Sequence, residues 1–583
     1  MAQEVKWEFR KRRPAVRTLD DFVKASTGMT TAELTLQDDR LPVDGMGEMA
    51  SFLTGWMDAH PHGPVTIVGD YDADGITSSS ILWLLFQMAF GVVPEVHLPH
   101  RFTEGYGLSM KIIDRIHDGL VVTVDNGIVA VDQIAAAKAK GLDVAVIDHH
   151  LPRPDGVLPP ADTLVDPHVH PEKSPFTDYC AAGLAFLLAE QLLGSYDPRL
   201  PYLAAFAGIG TVADVMPLKG PNRAIVRASF DAVERRLVTD GLKAVLDELK
   251  VSRPTADDYG FRLGPLFNAA GRLLDDGAEQ VFRLVTAMTS EDAWEGADQA
   301  DALHEAAHAL TELNRQRQDL TEVLTGRAVR HVEAMSSCLG RLPNVLVVYD
   351  PDGQEGLNGL VASHLAERFG RPVLVFSDHG KDAGGILKGS GRTWDGVNLK
   401  ALLDQAADCF LGYGGHAGAA GMSLTRGGLV RCARELDAAL ADHGFPEDSN
   451  VVWYDLEIDR RQVPAMLARL RELEPFGEGN PAPVFRVRDF PLVPKNGSFW
   501  SVMGRKEDHL KLNGQDGLTA VGFHMARQYQ DDGQPRRLDV VCTLAENTFR
   551  GASEPQLLME AYRAYPVKKT DAFQSLESLL SFT

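Results

Sequence analysis

The stretch VTIVGDYDADG (residues 65–75) sets an apolar run of strand length directly before three alternating aspartates, Asp70, Asp72 and Asp74, and a glycine. Two further runs repeat the arrangement: LVVTVDNG (residues 120–127) leads to Asp125, and VAVIDHH (residues 144–150) leads to Asp148, His149 and His150. A fourth apolar stretch, GIGTVADV (residues 208–215), encloses Asp214. Open α/β sheets keep their ligands at the carboxyl ends of such strands. All four clusters are therefore expected at strand ends along one edge of a sheet. Carboxylates gathered there repel one another unless a cation neutralises them. Metal-dependent chemistry is the first expectation.

Outward from that core, strands are expected at 65–69, 95–98, 120–124, 144–147 and 163–165, with helices starting near Ile76, Ser109, Val129 and Ala181. Such alternation builds a parallel sheet with helices on its faces. Gly75 and Gly127 stand where the chain must turn sharply out of a strand. Residues 279–332 are rich in Ala, Glu and Arg and lack proline, the composition of long helices. A second α/β unit follows, from NVLVVYD (residues 344–350) through LKGSGR (residues 387–392) to GYGGHAGAAG (residues 412–421). Beyond residue 451 the chain becomes strand-rich, with one short helix around 466–473.

With 583 residues the chain is too long for a single core. A net charge of -23 argues against coating nucleic acid by bulk electrostatics, although a local basic groove can still follow phosphates. Lys11, Arg12 and Arg13 precede no apolar core, so they are expected on a solvated arm and not in a secretory signal. The longest apolar stretch, residues 181–193, is interrupted by Glu190 and too short for a bilayer, so it reads as a buried helix. Cys180, Cys338, Cys409, Cys432 and Cys542 are scattered without a CxxC pair, which fits a reducing cytoplasm and argues against a zinc site.

Asp70, Asp72, Asp74, Asp125, His149, His150 and Asp214 offer enough oxygen and imidazole ligands for two ions sharing a carboxylate, with manganese or magnesium preferred to a thiolate-bound metal. Two such ions about 3.5–4 Å apart activate water against a phosphoester. Asp72, Asp74, Asp125, His149, His150, Asp214 and His416 are the candidate catalytic groups. Glycines around His416 let a backbone approach a phosphate closely, and its imidazole can donate a hydrogen bond. Ser390, Gly391 and Arg392 form a candidate phosphate clamp that Arg101 and Arg272 could join, with Asn268 orienting it. Aromatic and basic residues interleave near the C-terminus: Phe485, Arg486, Arg488, Phe490, Lys495, Phe499, Trp500, Arg505, Lys506 and Lys511. Single-strand binders of the OB type use this mixture, although half of these aromatics are expected in a core.

The order DYDADG, VDNG, DHH, GTVADVMPL resembles the DHH phosphoesterase superfamily. FRLGPLFNAAGR (residues 261–272), LKGSGR, GYGGHAGAAG and LEPFGEGNPAPVF (residues 473–485) narrow the likeness, over about residues 60–560, to the RecJ family of single-strand-specific DNA exonucleases. That resemblance implies an α/β chain in which a parallel-sheet DHH domain and a DHH-associated domain are joined by a long helical connector and followed by an OB-type β-barrel. The corresponding boundaries are an N-terminal segment 1–45, DHH domain 46–235, connector 236–335, DHH-associated domain 336–445, OB-like domain 446–565 and tail 566–583.

The resemblance further implies two divalent ions, Mn2+ preferred or Mg2+, held by the seven ligands named above, whose division between the ions stays open. Gly414, Gly415 and His416 would bind the scissile region, and the arginine-serine clamp the 5′-terminal phosphate, setting 5′-to-3′ polarity. The expected protein is a cytoplasmic monomer acting on single-stranded DNA with a 5′ end in repair and recombination, without a membrane. A single-strand-binding protein and a helicase are its candidate partners. The alternative enzyme is a DHH-family phosphodiesterase for short oligonucleotides or cyclic dinucleotides, whose relatives lack the added OB region. A replication scaffold of the same fold would have lost metal ligands, and every one is present here.

Overall fold

A computed structural model describes residues 8–36, 41–289, 293–378, 385–445, 451–504, 507–549 and 552–565. The chain divides into two compact units, one made of Leu41–Met216 and Ile225–Glu447, the other of Met1–Arg40, Pro217–Ala224 and Asp448–Thr583. The tail 566–583 lies outside the described residues.

In the larger unit the first sheet is wholly parallel, in the order Glu95–His97, Val65–Val68, Leu120–Val124, Asp143–Ile147, Thr163–Val165. Val65–Val68 and Leu120–Val124 are buried along their whole length, as parallel strands covered by helices must be. The helix Ala73–Phe90 is buried around most of its circumference against Ala181–Leu193 and Leu200–Ala213. Its first turn is thereby held rigidly beside the sheet edge. Leu242, Val245, Phe267, Val281 and Val285 join the same core, together with Ala307 and Leu310 of the long helix Ala293–Leu339. At about 1.5 Å per residue this helix extends roughly 70 Å. Its later residues Leu324, Ala328 and Val332 pack instead against the second sheet.

That second sheet runs Gly412–Gly415, Ala419–Thr425, Ile386–Arg392, Val373–Asp378, Leu346–Tyr349. Only the last two strands are parallel, and the helix Asn358–Phe369 makes the crossover between them.

The smaller unit is a seven-stranded sheet in the order Leu456–Asp459, Phe485–Pro491, Arg537–Phe549, Ala552–Ala564, Thr519–Gly522, His509–Asn513, Trp500–Met503. The N-terminal arm belongs to this unit, which corrects its reading as solvated. Glu8–Lys11 pairs in parallel with Val451–Tyr454, Arg12 donates to the Tyr454 carbonyl at 2.7 Å, and Arg13 donates to Ser26 at 3.0 Å. Leu19, Phe22, Val23 and Leu34 enter the C-terminal core. A strand whose partner lies more than four hundred residues away leaves no local signal beyond a polar run. The apolar spacing of LDDFVKAST was the available one.

Of the C-terminal aromatics, Phe485 and Phe490 are fully buried, while Phe499 and Trp500 lie half-buried against the same core. Arg505 and Lys506 are outside the described residues. Arg486 pairs at 2.6 Å with Asp539, whose side chain is 1% exposed and also meets Arg563 at 3.1 Å. Arg563 still faces the buried carboxylate when Arg486 is removed, so Arg486→Ala is expected to cost about 1.5–3 kcal/mol, the loss of one hydrogen bond to a charged group. Thermal denaturation checks this, with single-strand affinity at constant salt expected to stay within twofold.

Candidate active site

Asp70 follows the strand Val65–Val68 and is buried. Asp72 caps the next helix, accepting from the Asp74 and Gly75 amides, each at 3.0 Å. Within the first turn, Asp74 accepts from Ala181 N at 2.7 Å and Ala182 N at 2.9 Å, the first amides of the helix Ala181–Leu193. Two glycines permit this crowding. A Cβ on Gly75 would stand 2.4 Å from the Asp70 carbonyl oxygen, and one on Gly210 would stand 2.8 Å from Asp74 Oδ1. Gly75→Ala must push the Asp70 backbone away, so it is expected to cost about 1–3 kcal/mol of stability. Hydrolysis should fall with it, and thermal denaturation beside a single-strand digestion measures both.

Asp125 ends its strand at φ 62, a left-handed conformation that aspartate tolerates better than most residues. Beside it the Asn126 carboxamide donates to Val68 O, Gly69 O and Val124 O and accepts from Leu108 N. This side chain bolts the ends of two strands together. Asp148 faces away from the other carboxylates: it accepts from the His149, His150 and Ile128 amides and from His150 Nδ1 at 2.8 Å. His150 Nε2 is thereby turned outward, 3.2 Å from the Tyr106 hydroxyl. Asp214 corrects an expectation. It does not follow a strand but closes the helix Leu200–Ala213 as its C-cap, because the apolar run before it is of helix length and rich in alanine and glycine.

These elements converge on His149, whose Nε2 lies 3.2 Å from Asp125 Oδ1 and 3.7 Å from both Asp74 Oδ2 and Asp214 Oδ2. Three triads have ligand atoms within 4.8 Å of one another: Asp125–His149–His150, Asp74–His149–Asp214 and Asp70–Asp72–Asp125. Asp125 and His149 each belong to two of them. All seven sequence-identified ligands are therefore in one place. Burial, then mutual repulsion, holds the carboxyls of Asp70 and Asp125 well above the usual carboxylate range and pushes Asp214 up to about 9. Burial opposes a charge on His150, but the hydrogen bond and charge of Asp148 outweigh it and raise the imidazole to about 9. Asp70 Oδ1 and Asp214 Oδ2 are buried without a hydrogen-bond partner. Hard oxygens with unused lone pairs, next to imidazole, fit a pair of divalent cations.

The arginines form a second cluster. Arg101 lies over the Tyr71 ring at 4.5 Å, Arg272 donates to Gly356 O at 3.1 Å, and Arg392 donates to its neighbouring carbonyl at Gly391 at 2.8 Å. Burial, then the charges of Arg101, Arg317 and Arg392, brings the Arg272 guanidinium down to about 10, with Asp72 acting in the opposite sense. Among the described residues none of these four arginines makes an ion pair. Half-buried guanidinium groups without carboxylate partners suit an anionic ligand. Sequence reasoning missed Arg317: it stands in a helix full of arginines, and its neighbour Arg315 is spent on Glu312 and Asp319.

Ser390 shares one face of its strand with Lys388 and Arg392 and lies opposite Gly421, which in turn pairs with Gly414. An added Cβ at Gly414 or Gly421 would meet nothing within 4 Å, so bare backbone is open there. Gly415 follows Gly414 in the same strand at φ 142. The exposed His416 accepts from Gly418 N through Nδ1 at 3.1 Å, which leaves Nε2 as an outward donor. Among the described residues no contact ties His416 to the carboxylates. Asn268 does not join the arginines either; its oxygen accepts from Ala73 N at 2.9 Å and so braces the aspartate-bearing turn. Also missed were Tyr106 and the pair Asp166–His168, where His168 hydrogen-bonds the His149 backbone. TLVDP (residues 163–167) repeats the strand-then-aspartate pattern and could have revealed Asp166.

Models of the DHH family N-terminal domain, the DHHA1 domain and the RecJ OB domain match residues 64–211, 342–442 and 454–561. The single-stranded-DNA-specific exonuclease RecJ of Haemophilus influenzae is 30% identical over 86% of this chain and 88% of its own. The crystal structure of RecJ from Thermus thermophilus in complex with Mn2+ aligns with a TM-score of 0.75 at 26% identity, over 97% of this chain and 81% of that one. Its Mg2+ complex aligns at 0.68 with 26% identity, over 96% and 79%. The chain belongs to the RecJ family of single-stranded-DNA-specific exonucleases.

Proposed function

We propose that this protein hydrolyses single-stranded DNA stepwise from its 5′ end. The observation that carries the polarity is the adjacency of two unlike clusters: Tyr71 and Asp72 belong to the metal-ligating turn, yet Arg101 covers Tyr71 and Arg272 is close enough to Asp72 for their charges to interact. A terminal phosphate held by Arg101, Arg272, Ser390 and Arg392 leaves the next phosphodiester beside the carboxylates. A terminal phosphomonoester carries a second negative charge that an internal diester lacks, so the arginine cluster favours a strand end and exonucleolytic over internal cleavage.

Two divalent ions, Mn2+ or Mg2+, held by Asp70, Asp72, Asp74, Asp125, His149, His150 and Asp214, supply an activated water and charge stabilisation for phosphoryl transfer. Asp125 and His149, shared between triads, keep the ligand groups at fixed separation. Asp148 orients His150, and Asn126 fixes the strand ends that carry Asp70 and Asp125. His416 Nε2, with the open backbone at Gly414 and Gly415, donates to the scissile phosphate. We assign the seven-stranded sheet of the smaller unit to holding the single strand, and propose a cytoplasmic monomer that works with a single-strand-binding protein and a helicase. Five free cysteines support the reducing compartment. Among the described residues no helix is long and apolar enough to cross a membrane.

Digestion of end-labelled single and double strands, with and without a 5′ phosphate and across Mn2+ and Mg2+, tests this reading. Mononucleotide release from the 5′ end of single strands is expected, faster with the phosphate. Release without polarity, or a preference for di- and trinucleotides over long strands, overturns it.

A further inference from the structure

The smaller unit carries an imidazole–carboxylate cluster of its own. Asp508 and His509 stand at the start of the strand His509–Asn513, and His524 stands in the turn after the strand Thr519–Gly522. These strands pair antiparallel with Leu510 opposite Gly522, so both turns lie at one end of the sheet. The Ala526 amide donates to the Asp508 carbonyl at 3.1 Å, and His524 adopts φ 58, a backbone conformation seldom taken without cause. One ligand atom from each of Asp508, His509 and His524 lies within 4.8 Å of the others.

Both imidazoles of this cluster turn Nδ1 toward the two oxygens of one carboxylate. Asp508 Oδ1 is 3.1 Å from His509 Nδ1, and Asp508 Oδ2 is 2.5 Å from His524 Nδ1. His509 Nδ1 is also the acceptor of the His524 amide at 3.2 Å. A ring nitrogen that accepts an amide proton presents a lone pair, which repels the facing carboxylate oxygen. One divalent ion shared by the three side chains takes the place of ring protons here, using Nδ1 lone pairs and a carboxylate oxygen. The His509 and His524 rings meet edge to face with centroids 4.7 Å apart, and the exposed Phe523 packs edge-on against His509 at 5.2 Å.

We infer that Asp508, His509 and His524 form a binding site for a borderline transition-metal ion of the zinc type. Two imidazoles and one carboxylate suit Zn2+ better than Mg2+. The spacing of the cysteines says nothing about a site that uses no thiolate. An ion here cross-links the two turns at the open end of the sheet.

Zn2+ titration calorimetry on the full chain in saturating Mg2+ tests the assignment, comparing the native protein with His524→Ala. The His524 side chain is 75% exposed, so its removal leaves the fold intact. The native chain is expected to bind one more Zn2+ than the variant, or to bind it at least tenfold more tightly, and His509→Ala should reproduce the loss. An Asp125→Asn chain should keep this equivalent. Equal stoichiometry and affinity in the native and His524→Ala chains, or disappearance of the equivalent in Asp125→Asn, overturns the site.

Discussion

Asp125→Asn is expected to reduce hydrolysis by at least about 10³-fold, because losing a single preorganised electrostatic partner alone costs about 10²–10³. Asp125 is common to two of the ligand triads, so both of these lose a charged oxygen. The substitution keeps the shape of the side chain, and asparagine tolerates the left-handed backbone at φ 62. Folding should therefore survive, and without metal the variant should be more stable than the native chain. Burial and the neighbouring aspartates hold the Asp125 carboxyl well above its usual value, so the folded state binds the proton more tightly than the unfolded one. Such a group contributes stability below about pH 4, and that contribution is lost as pH rises through the folded-state value. Asp214, at about 9, follows the same rule, so metal-free native protein should melt progressively lower from about pH 4 to pH 9. The asparagine of the variant carries no such charge. Melting curves in chelator across this range, with and without Mn2+, measure the effect. A native protein whose chelated melting temperature rises over that interval contradicts the electrostatics described here.

Arg392→Ala is expected to lower hydrolysis of 5′-phosphorylated strands by about 10- to 100-fold, since hydrogen bonds to charged groups contribute about 1.5–3 kcal/mol. Strands ending in a 5′ hydroxyl should be affected far less, and the phosphate preference should collapse. Arg392 suits this test because, among the described residues, Nη1 donates only to the adjacent Gly391 carbonyl. Its guanidinium also lies against Gly359, where an added Cβ would stand 3.0 Å from Nη2, in the first turn of the helix Asn358–Phe369. A cation beside the positive end of a helix dipole is unfavourable until an anion arrives. Competition between phosphorylated and unphosphorylated strands gives the ratio directly. An unchanged ratio removes Arg392 from strand-end recognition.

Much of the site was legible because strands and their terminal carboxylates are local features. Asp70, Asp125 and His149 each stand just beyond an apolar run that could only be a buried strand. Asp214 was placed on the wrong kind of element, since an unbroken run of small apolar residues does not distinguish strand from helix until its length and packing are known. Arg317 was invisible for another reason. Its place in the cluster depends on Arg272, Arg101 and Arg392, which are distant in sequence and come together only on folding.

The sequence by itself determined the parallel sheet, the seven candidate ligands and the chemistry their charges require, because alternation of apolar runs with carboxylates is written in consecutive residues. Only the tertiary structure decided that the N-terminal arm completes the C-terminal unit, that Asp148 bonds the His150 ring, that Asn268 braces the aspartate turn, and that Arg101, Arg317 and Arg392 gather around Arg272. The physical reason is the range of the interactions. Hydrophobic periodicity and turns act between neighbours in the chain, whereas strand pairing, charge desolvation and side-chain-to-backbone bonds act between groups that only folding brings together.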